Sequence, residues 1–408
     1  MRNLKNIRRS ITTLPEQLPL TAAAWNGQSL ICAQGPLDGK IELRSINVHN
    51  SGPLLAAWEI DRPDDQIVSL QYFADTETSC LICASGDIIF AKQDSIEIVG
   101  SIDAGITAAA WSPDEELVAI TTGADTLLFM TREFDNVADI AFTSEDIKAS
   151  NHVSVGWGKR ETQFQGKHAK ALRDPTMPEK VDEGLLSAKD NGKVTVSWRG
   201  DGAYVAVNSV TSIENTKRRV IRVYSREGAL DSVSEPVDYL EGALSWRPAG
   251  NIIAGIQRLE DVIKIVFFER NGLRHGQFDL RLSPADINTW AAEEIELKWN
   301  IDSTVLAVCF ADRVQLWTMG NYHYYLKREI LQLKDTDSRY NLVWHPENAL
   351  QFALIVREYV MQKFEFVLDV VAGPTTPPYD YGLVSVIDGS KCTIRVVFGR
   401  LLTIIQKQ

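Results

Sequence analysis

One pattern of apolar and polar positions recurs along this chain. An apolar run ends on an aromatic residue, a short polar turn follows, and a second apolar run begins. The clearest copy is Ile106–Ile120, in which the first run ends on Trp111 and the turn reads Ser-Pro-Asp. The aromatic residues that end the seven copies are Trp25, Tyr72, Trp111, Trp198, Trp246, Trp299 and Trp344. Short apolar runs separated by Pro, Asp and Gly turns predict buried β-strands that reverse direction at each turn.

The spacing of these seven aromatic residues indicates a structural repeat. Successive residues lie 47, 39, 87, 48, 53 and 45 positions apart. Five of these intervals lie near the roughly 40–50 residues that one four-stranded propeller blade occupies. The interval of 87 equals one blade plus roughly 40 further residues. It therefore predicts an insertion between blades three and four.

We predict an all-β fold, a seven-bladed WD40-like β-propeller with a long insertion between blades three and four. The innermost strand of each blade is buried on both faces, and such strands read as continuous apolar runs. The predicted propeller spans residues 1–370, and its insertion spans 144–191. The strand at residues 3–11 alternates polar and apolar positions. We expect this strand to complete blade seven, because a closed ring leaves only short, protected strand edges.

A second region follows the predicted propeller at residues 371–408. Gly373–Pro378 contains three prolines, a composition that is typical of a stiff linker. Further short strands are expected within 383–405, and we interpret them as the opening strands of a second propeller. We therefore expect the chain to be a fragment of a longer protein.

Composition narrows the possible classes of function. The chain has 408 residues, 45% of them hydrophobic, and a net charge of −12. This balance excludes a nucleic-acid-binding protein that is basic over its whole surface. The N-terminus has no apolar signal core, and no apolar run approaches the roughly 20 residues of a membrane span. We expect a cytoplasmic protein, also present in the nucleus, without membrane contact.

The sequence does not indicate a catalytic, metal or cofactor site. Cys80 and Cys83 have the spacing of metal ligands, but residues three apart point to opposite faces of a strand. Reduced core thiols are the simpler interpretation. Asp114, Asp201 and Asp302 recur in equivalent turns, where they either line a catalytic funnel or stabilise the turns themselves. We expect the second role, and no enzyme activity, cofactor or metal.

Positive charge is concentrated inside the predicted insertion. Five basic residues and one acidic residue, Glu161, give a net charge of +4 over residues 159–173. Aromatic residues lie among them, and cations together with aromatic faces are what RNA-binding surfaces use. Contact with RNA, contact with a partner protein and a solvated surface all remain open. The candidate contact residues are Trp157, Lys159, Arg160, Phe164, Lys167, Lys170 and Arg173.

A second set of candidate contacts lies near the end of blade six. Tyr322, Tyr324 and Tyr325 could form an aromatic patch for a partner protein. Alternation along an outer strand also explains two of the three as packing residues. Both interpretations remain open from the sequence.

Several stretches are more specific than the propeller pattern. These stretches resemble the N-terminal part of the largest subunit of the Elongator complex, and they occur in the order of that family across nearly the whole chain. The Gly-Trp-Gly and Asn-Tyr-His stretches carry most of the resemblance, whereas Trp-Ser-Pro-Asp is common to propellers. The match is poorest over residues 12–65 and 174–191. The stretches are Met1–Leu4, Ala109–Leu117, Gly156–Phe164, Val266–Gly276, Val314–Leu326 and Val384–Gly389.

The resemblance implies a scaffold for protein–protein interaction and not a catalyst. Its implied partners are a catalytic subunit, which is radical-SAM and acetyltransferase-like and uses acetyl-CoA, and a second propeller subunit. The implied assembly modifies the wobble uridine of certain tRNAs at carbon 5. In such subunits, dimerisation and most tRNA binding belong to C-terminal regions beyond this stretch. We therefore expect only weak tRNA contact from this chain, and the family offers no catalytic residue to place in it.

Overall fold

The structure is a computed structural model that describes residues 3–47, 51–63, 65–93, 95–149, 182–213, 216–289, 295–331, 341–357, 359–369, 382–388 and 391–397. Within these ranges almost all regular structure is β-strand. Seven four-stranded antiparallel sheets form the blades of a closed ring. The prediction of a seven-bladed propeller is therefore confirmed. No helix among the described residues is long and apolar enough to cross a membrane.

The first strand, β1 (Asn3–Thr13), belongs to the last blade, and the other strands follow in chain order. Blade one contains Leu20–Asn26 (β2), Ser29–Leu37 (β3), Lys40–Ile46 (β4) and Ser51–Glu59 (β5). Blade two contains Ile67–Phe73 (β6), Thr78–Cys83 (β7), Asp87–Lys92 (β8) and Ser95–Ser101 (β9). Blade three contains Ile106–Trp111 (β10), Leu117–Thr122 (β11), Thr126–Thr131 (β12) and Asn136–Ala141 (β13).

Blades four to seven repeat the same arrangement. Blade four contains Thr195–Trp198 (β14), Tyr204–Ile213 (β15), Thr216–Ser225 (β16) and Leu230–Val233 (β17). Blade five contains Leu240–Trp246 (β18), Ile252–Arg258 (β19), Ile263–Glu269 (β20) and Arg274–Asp279 (β21). Blade six contains Glu296–Trp299 (β22), Val305–Cys309 (β23), Arg313–Gly320 (β24) and His323–Leu331 (β25). Blade seven contains Asn341–Trp344 (β26), Gln351–Arg357 (β27), Val360–Asp369 (β28) and β1.

The strand at the N-terminus joins the two ends of the propeller. β1 pairs antiparallel with β28, from Asn3 opposite Asp369 to Thr13 opposite Val360. A register shift interrupts this pairing between Asn6 and Arg8. The outer strand of blade seven is thus supplied by the beginning of the chain, as in a ring that is closed by its own terminus.

Among the described residues two short helices lie between blades, α1 (Glu145–Ala149) and α2 (Pro284–Thr289). Each begins with the same capping arrangement. The hydroxyl of Thr143 donates to Asp146 at 2.8 Å, and the hydroxyl of Ser283 donates to Asp286 at 2.8 Å. Backbone N–H groups are satisfied in both directions: those of Asp146 and Asp286 donate to the two hydroxyls at 3.4 and 3.3 Å. Those of Thr143 and Ser283 donate to the two carboxylates at 3.0 and 3.3 Å, as in a capping box. Helix α2 was not anticipated, because six residues are too few to show a helical period.

The hydrophobic core lies between the blades. Each of the seven clusters of buried apolar residues is shared by two neighbouring blades. Between blades three and four, for example, Phe129 packs edge-on against Trp198, with ring centroids 5.9 Å apart. Full burial of one such side chain contributes about 1.5–3 kcal/mol. The ring is therefore held by seven similar interfaces, each of which depends on its neighbours.

Two further strands follow the propeller. Gly382–Asp388 (β29) and Lys391–Val397 (β30) pair with each other in a two-stranded sheet. The linker expected at 373–378 and the strand expected near 401–405 lie outside the described residues. That β29 and β30 open a second propeller stays a prediction.

Candidate functional site

The two faces of the ring carry different turns. Within each blade the strands run from the innermost, A, to the outermost, D. One face, the A–B face, carries the A–B and C–D turns, such as residues 112–116 of blade three and 320–323 of blade six. The other face, the B–C face, carries the B–C turns, such as 122–126, and the connections between blades. Antiparallel alternation of the strands requires this division.

The chain leaves blade three and enters blade four on the B–C face. The N–H of Phe142, just after β13, donates to the carbonyl of Asp125 in a B–C turn at 2.9 Å. At the other end Thr195 pairs with Asn208, in the half of β15 that leads to its B–C turn. Of the insertion predicted at residues 144–191, the structure describes residues 144–149 and 182–191, and a long insertion at this place stays a prediction. The seven candidate contact residues from Trp157 to Arg173 lie outside the described residues.

The first end of the insertion is held by a buried arginine. Arg222 has a fully buried side chain, and its Nε donates to Asp146 of α1 at 3.0 Å. Its Nη2 also donates to the carbonyl of Thr143, the residue that caps the helix, at 3.1 Å. The start of the insertion is therefore fixed to strand C of blade four.

The second end is held by another buried arginine on the same strand. Arg219 forms a two-pronged ion pair with Asp190, with Nε–Oδ2 and Nη2–Oδ1 distances of 2.6 and 2.7 Å. The two side chains are only 1% and 3% exposed. Its Nη1 donates to the carbonyl of Lys193 at 2.9 Å. Removing one partner from a buried ion pair costs about 3–5 kcal/mol, because the other charge is left without a partner.

A buried carboxylate anchors the same segment to blade five. Oδ1 of Asp238 accepts hydrogen bonds from the backbone N–H groups of Glu183, Gly184 and Leu185, at 2.9, 2.8 and 3.1 Å. Nearby, Arg274 pairs with Asp182 at 3.0 Å. The segment is thus tied to two blades at once. Both ends of the insertion are fixed in position beside blade four.

Blade four also carries the longest B–C hairpin of the described part of the ring. β15 and β16 pair over ten residues each, from Tyr204 opposite Ser225 to Ile213 opposite Thr216. Strand A of this blade pairs only with Val205–Asn208. About five residues of each hairpin strand therefore extend past the end of strand A, roughly 16 Å at about 3.3 Å per residue. Most of them are buried, namely Ser209, Thr211, Arg219, Val220 and Ile221. The two ends of the insertion lie beside this extension.

The tyrosine set lies on the opposite face, in and after the C–D turn of blade six. Tyr322 is 76% exposed and has a φ of 64°. With Asn321 at a φ of 50°, it forms a two-residue hairpin turn in which glycine normally takes the second position. An L-residue in this left-handed conformation costs about 1–2 kcal/mol. A large aromatic side chain is therefore displayed to solvent at an energetic cost, next to Met319, which is 49% exposed.

The other two tyrosines have different surroundings. Tyr324 stacks on Phe278 of blade five with ring centroids 4.5 Å apart, so it packs between blades. Tyr325 is half-buried, and the ammonium of Lys327 lies 5.5 Å from its ring centroid. Of the three, Tyr322 is the most exposed, and its contact with a partner stays a prediction.

The three turn carboxylates are bonded within their own turns. Oδ1 of Asp114 accepts from Glu116 N at 3.3 Å, Oδ1 of Asp201 from Ala203 N at 3.1 Å, and Oδ1 of Asp302 from Thr304 N at 3.0 Å. The hydrogen bond from Arg199 lowers the pKa of Asp201 below its ordinary value. These bonds are those of turn-stabilising aspartates.

The two closely spaced cysteines are core residues. Cys80 and Cys83 are fully buried. Burial raises the pKa of the Cys83 thiol to about 12, so the thiolate that a metal would need is strongly disfavoured. Among the described residues no group of three or more His, Cys, Asp or Glu side chains is arranged to hold a metal ion.

Sequence patterns did not reveal the buried arginines. Lys217-Arg218-Arg219 reads as a charged, solvent-facing run, and the partners of Arg219 and Arg222 lie 29 and 76 positions away. The signal that could have found them is a charged run inside an otherwise apolar strand C. Every other described strand C lacks such a run.

Comparison with known proteins gives consistent matches. Residues 1–347 match the family model described as ELP1 first N-terminal beta-propeller. The chain is 44% identical over 397 residues to Elongator complex protein 1 of Schizosaccharomyces pombe, covering 92% of this chain and 30% of that protein. It is 41% identical over 408 residues to Elongator complex protein 1 of Saccharomyces cerevisiae, covering 90% of this chain and 29% of that protein. It is 32% identical over 361 residues to Elongator complex protein 1 of Drosophila melanogaster, covering 84% of this chain and 27% of that protein. The chain spans less than a third of the length of these relatives.

Proposed function

Because the chain belongs to the Elongator complex protein 1 family, we propose that this propeller is a non-catalytic scaffold that binds other subunits of an Elongator complex. Through them it would support modification of the tRNA wobble uridine at carbon 5. The chemistry would be carried by a radical-SAM and acetyltransferase-like subunit that uses acetyl-CoA. A second propeller subunit would be the other partner. No cofactor would bind to this chain.

The exposed Tyr322 is the observation that carries the scaffold proposal. Tyrosine is enriched among the few interface residues that dominate binding energy. Here it occupies a turn position that glycine would fill with less strain. Strained residues persist where the surrounding structure over-determines them, and they cluster at functional sites. A rigid propeller suits such a role, because it holds the tyrosine side chain in place before a partner arrives. This reduces the entropy lost on binding.

The test is a pull-down of the tagged 408-residue chain from its native lysate, with the captured subunits identified by mass spectrometry. We expect the radical-SAM subunit, the second propeller subunit or both to be captured. Tyr322→Ala should reduce that capture. The matched control is Ile98→Ala, which shortens a side chain that is 63% exposed on the rim of blade two. Capture of neither subunit by the unaltered chain would overturn the proposal, and equal losses in both variants would remove Tyr322 from it.

A second candidate function is RNA binding through the insertion. Ion pairs to the buried side chains of Arg219 and Arg222 hold the described residues on either side of 150–181 against blade four, which supports this candidate. The five basic residues of the predicted insertion would contact tRNA phosphates. Replacing Lys159, Arg160, Lys167, Lys170 and Arg173 should weaken tRNA binding and flatten its dependence on salt. Unchanged binding by this variant would exclude the insertion as an RNA site.

A further inference from the structure

Three large apolar side chains lie exposed together on the A–B face of blade six. Ile301 in the A–B turn is 42% exposed, Met319 near the end of strand C is 49% exposed, and Tyr322 in the C–D turn is 76% exposed. Met319 follows Thr318, which pairs with Val305 at the start of strand B, so it lies beside the A–B turn. The two turns are two strand spacings apart, about 10 Å. The three side chains therefore form one surface, the blade-six patch.

The turn that carries Ile301 is held by a buried asparagine. Asn300 is fully buried, and its Oδ1 accepts from the backbone N–H groups of Thr304 and Val305 at 3.0 and 2.9 Å. Its Nδ2 donates to the carbonyl of Ala349 in blade seven at 2.8 Å. The patch therefore stands on a fixed backbone, which lowers the entropy lost when a partner binds.

A cation without a counter-charge lies next to the patch, on blade five. The A–B turns of blades five and six are joined by a 2.7 Å hydrogen bond from Ala249 N to Ser303 Oγ. In the blade-five turn, Arg247 places its guanidinium carbon 5.6 Å from the ring centroid of Trp299, two residues before Ile301. Its Nε is buried, and its side chain has no hydrogen bond or ion pair among the described residues. The guanidinium is thus stacked on a ring, but its charge is not neutralised.

Other arginines that stack on aromatic rings on this face already have a carboxylate. Arg132 lies with its guanidinium carbon 4.0 Å from the ring centroid of Phe73 and pairs with Asp75. Arg199 stacks on a tyrosine and pairs with an aspartate of its own turn. A half-buried guanidinium without an anion is unfavourable. A carboxylate from outside the fold would give Arg247 the charge-assisted hydrogen bonds that the other two possess.

The opposite side of the patch carries a negative charge. Asp302 follows Ile301 and lines a cleft with Asn348 of blade seven. Lys363 lines the same cleft but reaches toward blade one, where its Nζ donates to the carbonyl of Gln28 at 2.8 Å. A carboxylate on a bound partner is therefore attracted on the blade-five side of the patch and repelled beside Asp302. This charge arrangement gives the partner a preferred direction across the face.

We propose that the blade-six patch binds a polypeptide segment of a partner in which an aspartate or glutamate lies beside large apolar residues. The apolar side chains cover Ile301, Met319 and Tyr322, and the carboxylate pairs with the guanidinium of Arg247. This inference rests on the proposed scaffold function. It adds the chemistry of the partner segment and its direction, with the acidic residue toward blade five.

The test selects short random peptides displayed on phage for binding to the immobilised 408-residue chain. Peptides that bind equally well to the chain carrying both Ile301→Ala and Tyr322→Ala are discarded. The remaining peptides should share an acidic residue next to large apolar residues. Fluorescence anisotropy of one such peptide then measures its affinity for each variant. Arg247→Ala should weaken binding by about 5-fold to 30-fold, and Arg247→Lys should retain part of the affinity because it keeps the charge.

A double-mutant cycle identifies the group that Arg247 contacts. Exchanging the acidic residue of the peptide for its amide should weaken binding as much as Arg247→Ala does, and both changes together should cost little more than either alone. The matched control is Arg132→Ala, because Arg132 stacks on a ring of the same face but is already paired. This control should change the affinity by less than about 2-fold. Circular dichroism checks the folding of each variant.

Selected peptides without an acidic residue, unchanged binding by Arg247→Ala, or independent effects in the cycle would overturn the proposal. A selection that yields no peptide dependent on the patch would overturn it as well. These results are separate from the pull-down of subunits. Capture of a subunit together with any of them leaves the scaffold function in place and removes this partner chemistry. The expected peptide results without subunit capture would keep the patch as a binding site and reject the scaffold function.

Discussion

The indole N–H of Trp25 donates a 3.1 Å hydrogen bond to the carbonyl oxygen of Val343, a residue 318 positions away along the chain. Trp25 lies on strand A of blade one, and Val343 lies on strand A of blade seven. The bond therefore crosses the junction at which the ring closes. Val343 immediately precedes Trp344, the aromatic residue that ends strand A of its own blade.

The same relationship recurs at two other junctions. Trp198 donates to the carbonyl of Ala110 at 2.9 Å, and Trp344 donates to the carbonyl of Lys298 at 3.0 Å. In each case the acceptor carbonyl belongs to the residue just before the aromatic residue that ends strand A of the neighbouring blade. At the two junctions around blade five a serine replaces this link. Ser197 Oγ accepts from Trp246 N at 2.8 Å, and Ser245 Oγ accepts from Trp299 N at 3.1 Å.

Removing the ring-closing bond should destabilise the propeller. Trp25→Phe keeps an aromatic ring but leaves the carbonyl of Val343 without its donor, which should lower the free energy of unfolding by about 1–3 kcal/mol. Trp111→Phe is the matched control, because the indole nitrogen of Trp111 is buried with no hydrogen-bond partner among the described residues. Denaturant unfolding should show the larger loss for Trp25→Phe. Equal losses would mean that the indole bonds contribute nothing beyond packing.

Stability should fall at mildly acidic pH because of His345. Its ring is buried against Trp25, and its Nδ1 accepts from the N–H groups of Glu347 and Asn348, so the neutral form is required. Burial lowers the pKa of His345 below its ordinary value of 6.5; a hydrogen bond to the backbone of Gly27 offsets part of this, and the cation of Lys363 adds to it. The folded state thus takes up the proton at lower pH than the unfolded state. The stability that neutral His345 contributes is therefore complete above pH 6.5, and it is lost as the pH falls from 6.5 through the folded-state pKa.

The size of this loss is about 1.4 kcal/mol for each unit that separates the two pKa values. His345→Asn keeps an oxygen acceptor for the same turn but does not titrate. Thermal unfolding at pH 7.5 and 5.5 should therefore show a smaller drop in Tm for the variant than for the unaltered chain. An identical drop in both would assign the acid sensitivity to other groups.

The buried ion pair between Arg219 and Asp190 should contribute more to the free energy of unfolding than an exposed ion pair does. Asp190→Asn leaves Arg219 charged and buried, and should lower the free energy of unfolding by about 3–5 kcal/mol. Asp201→Asn, in a pair whose carboxylate is 55% exposed, should cost less than about 1 kcal/mol. Urea unfolding of the two variants is the measurement. If Asp190→Asn cost no more than Asp201→Asn, the segment 182–193 would not be held as described.

Replacing Tyr322 by glycine should slightly stabilise the fold. The strain of about 1–2 kcal/mol that is relieved exceeds the roughly 0.5–1 kcal/mol of extra chain entropy that glycine loses on folding. Tyr322→Ala retains the strain and should show no such gain. Differential scanning calorimetry of the two variants separates these cases. A lower Tm for Tyr322→Gly would show that the tyrosine side chain stabilises its own turn.

The blades were predictable because a repeated local pattern encodes them. Each of the seven aromatic residues, from Trp25 to Trp344, lies at or next to the end of an innermost strand. The expectation that the innermost strands are buried on both faces was wrong for most blades: β10 is largely half-buried, whereas the next strand, β11, is buried throughout and gives the continuous apolar signal. Which indoles donate across a junction was not predictable. Trp111 and Trp198 occupy equivalent positions, yet of the two only Trp198 reaches a carbonyl, a difference that their shared sequence pattern does not encode.

The candidate contacts were only partly predictable for a different reason. Exposure of Tyr322 follows from its place in a turn, whereas the packing of Tyr324 on Phe278 depends on a neighbouring blade. The buried role of Arg219 depends on a partner in the insertion. Charge is expected at the surface, so only the three-dimensional arrangement shows that this arginine is paired and that Arg218 is not.

The scaffold function is tested most directly by titrating the purified radical-SAM subunit and the purified second propeller subunit into this 408-residue chain. Isothermal titration calorimetry should detect binding of at least one of them, and Tyr322→Gly should weaken that binding while raising the Tm of the free chain. A scaffold whose contacts lie on this ring requires binding of at least one subunit, and a contact through Tyr322 requires the weaker binding of Tyr322→Gly. Absence of measurable binding to either subunit by the unaltered, folded chain would contradict the scaffold function proposed for the ring.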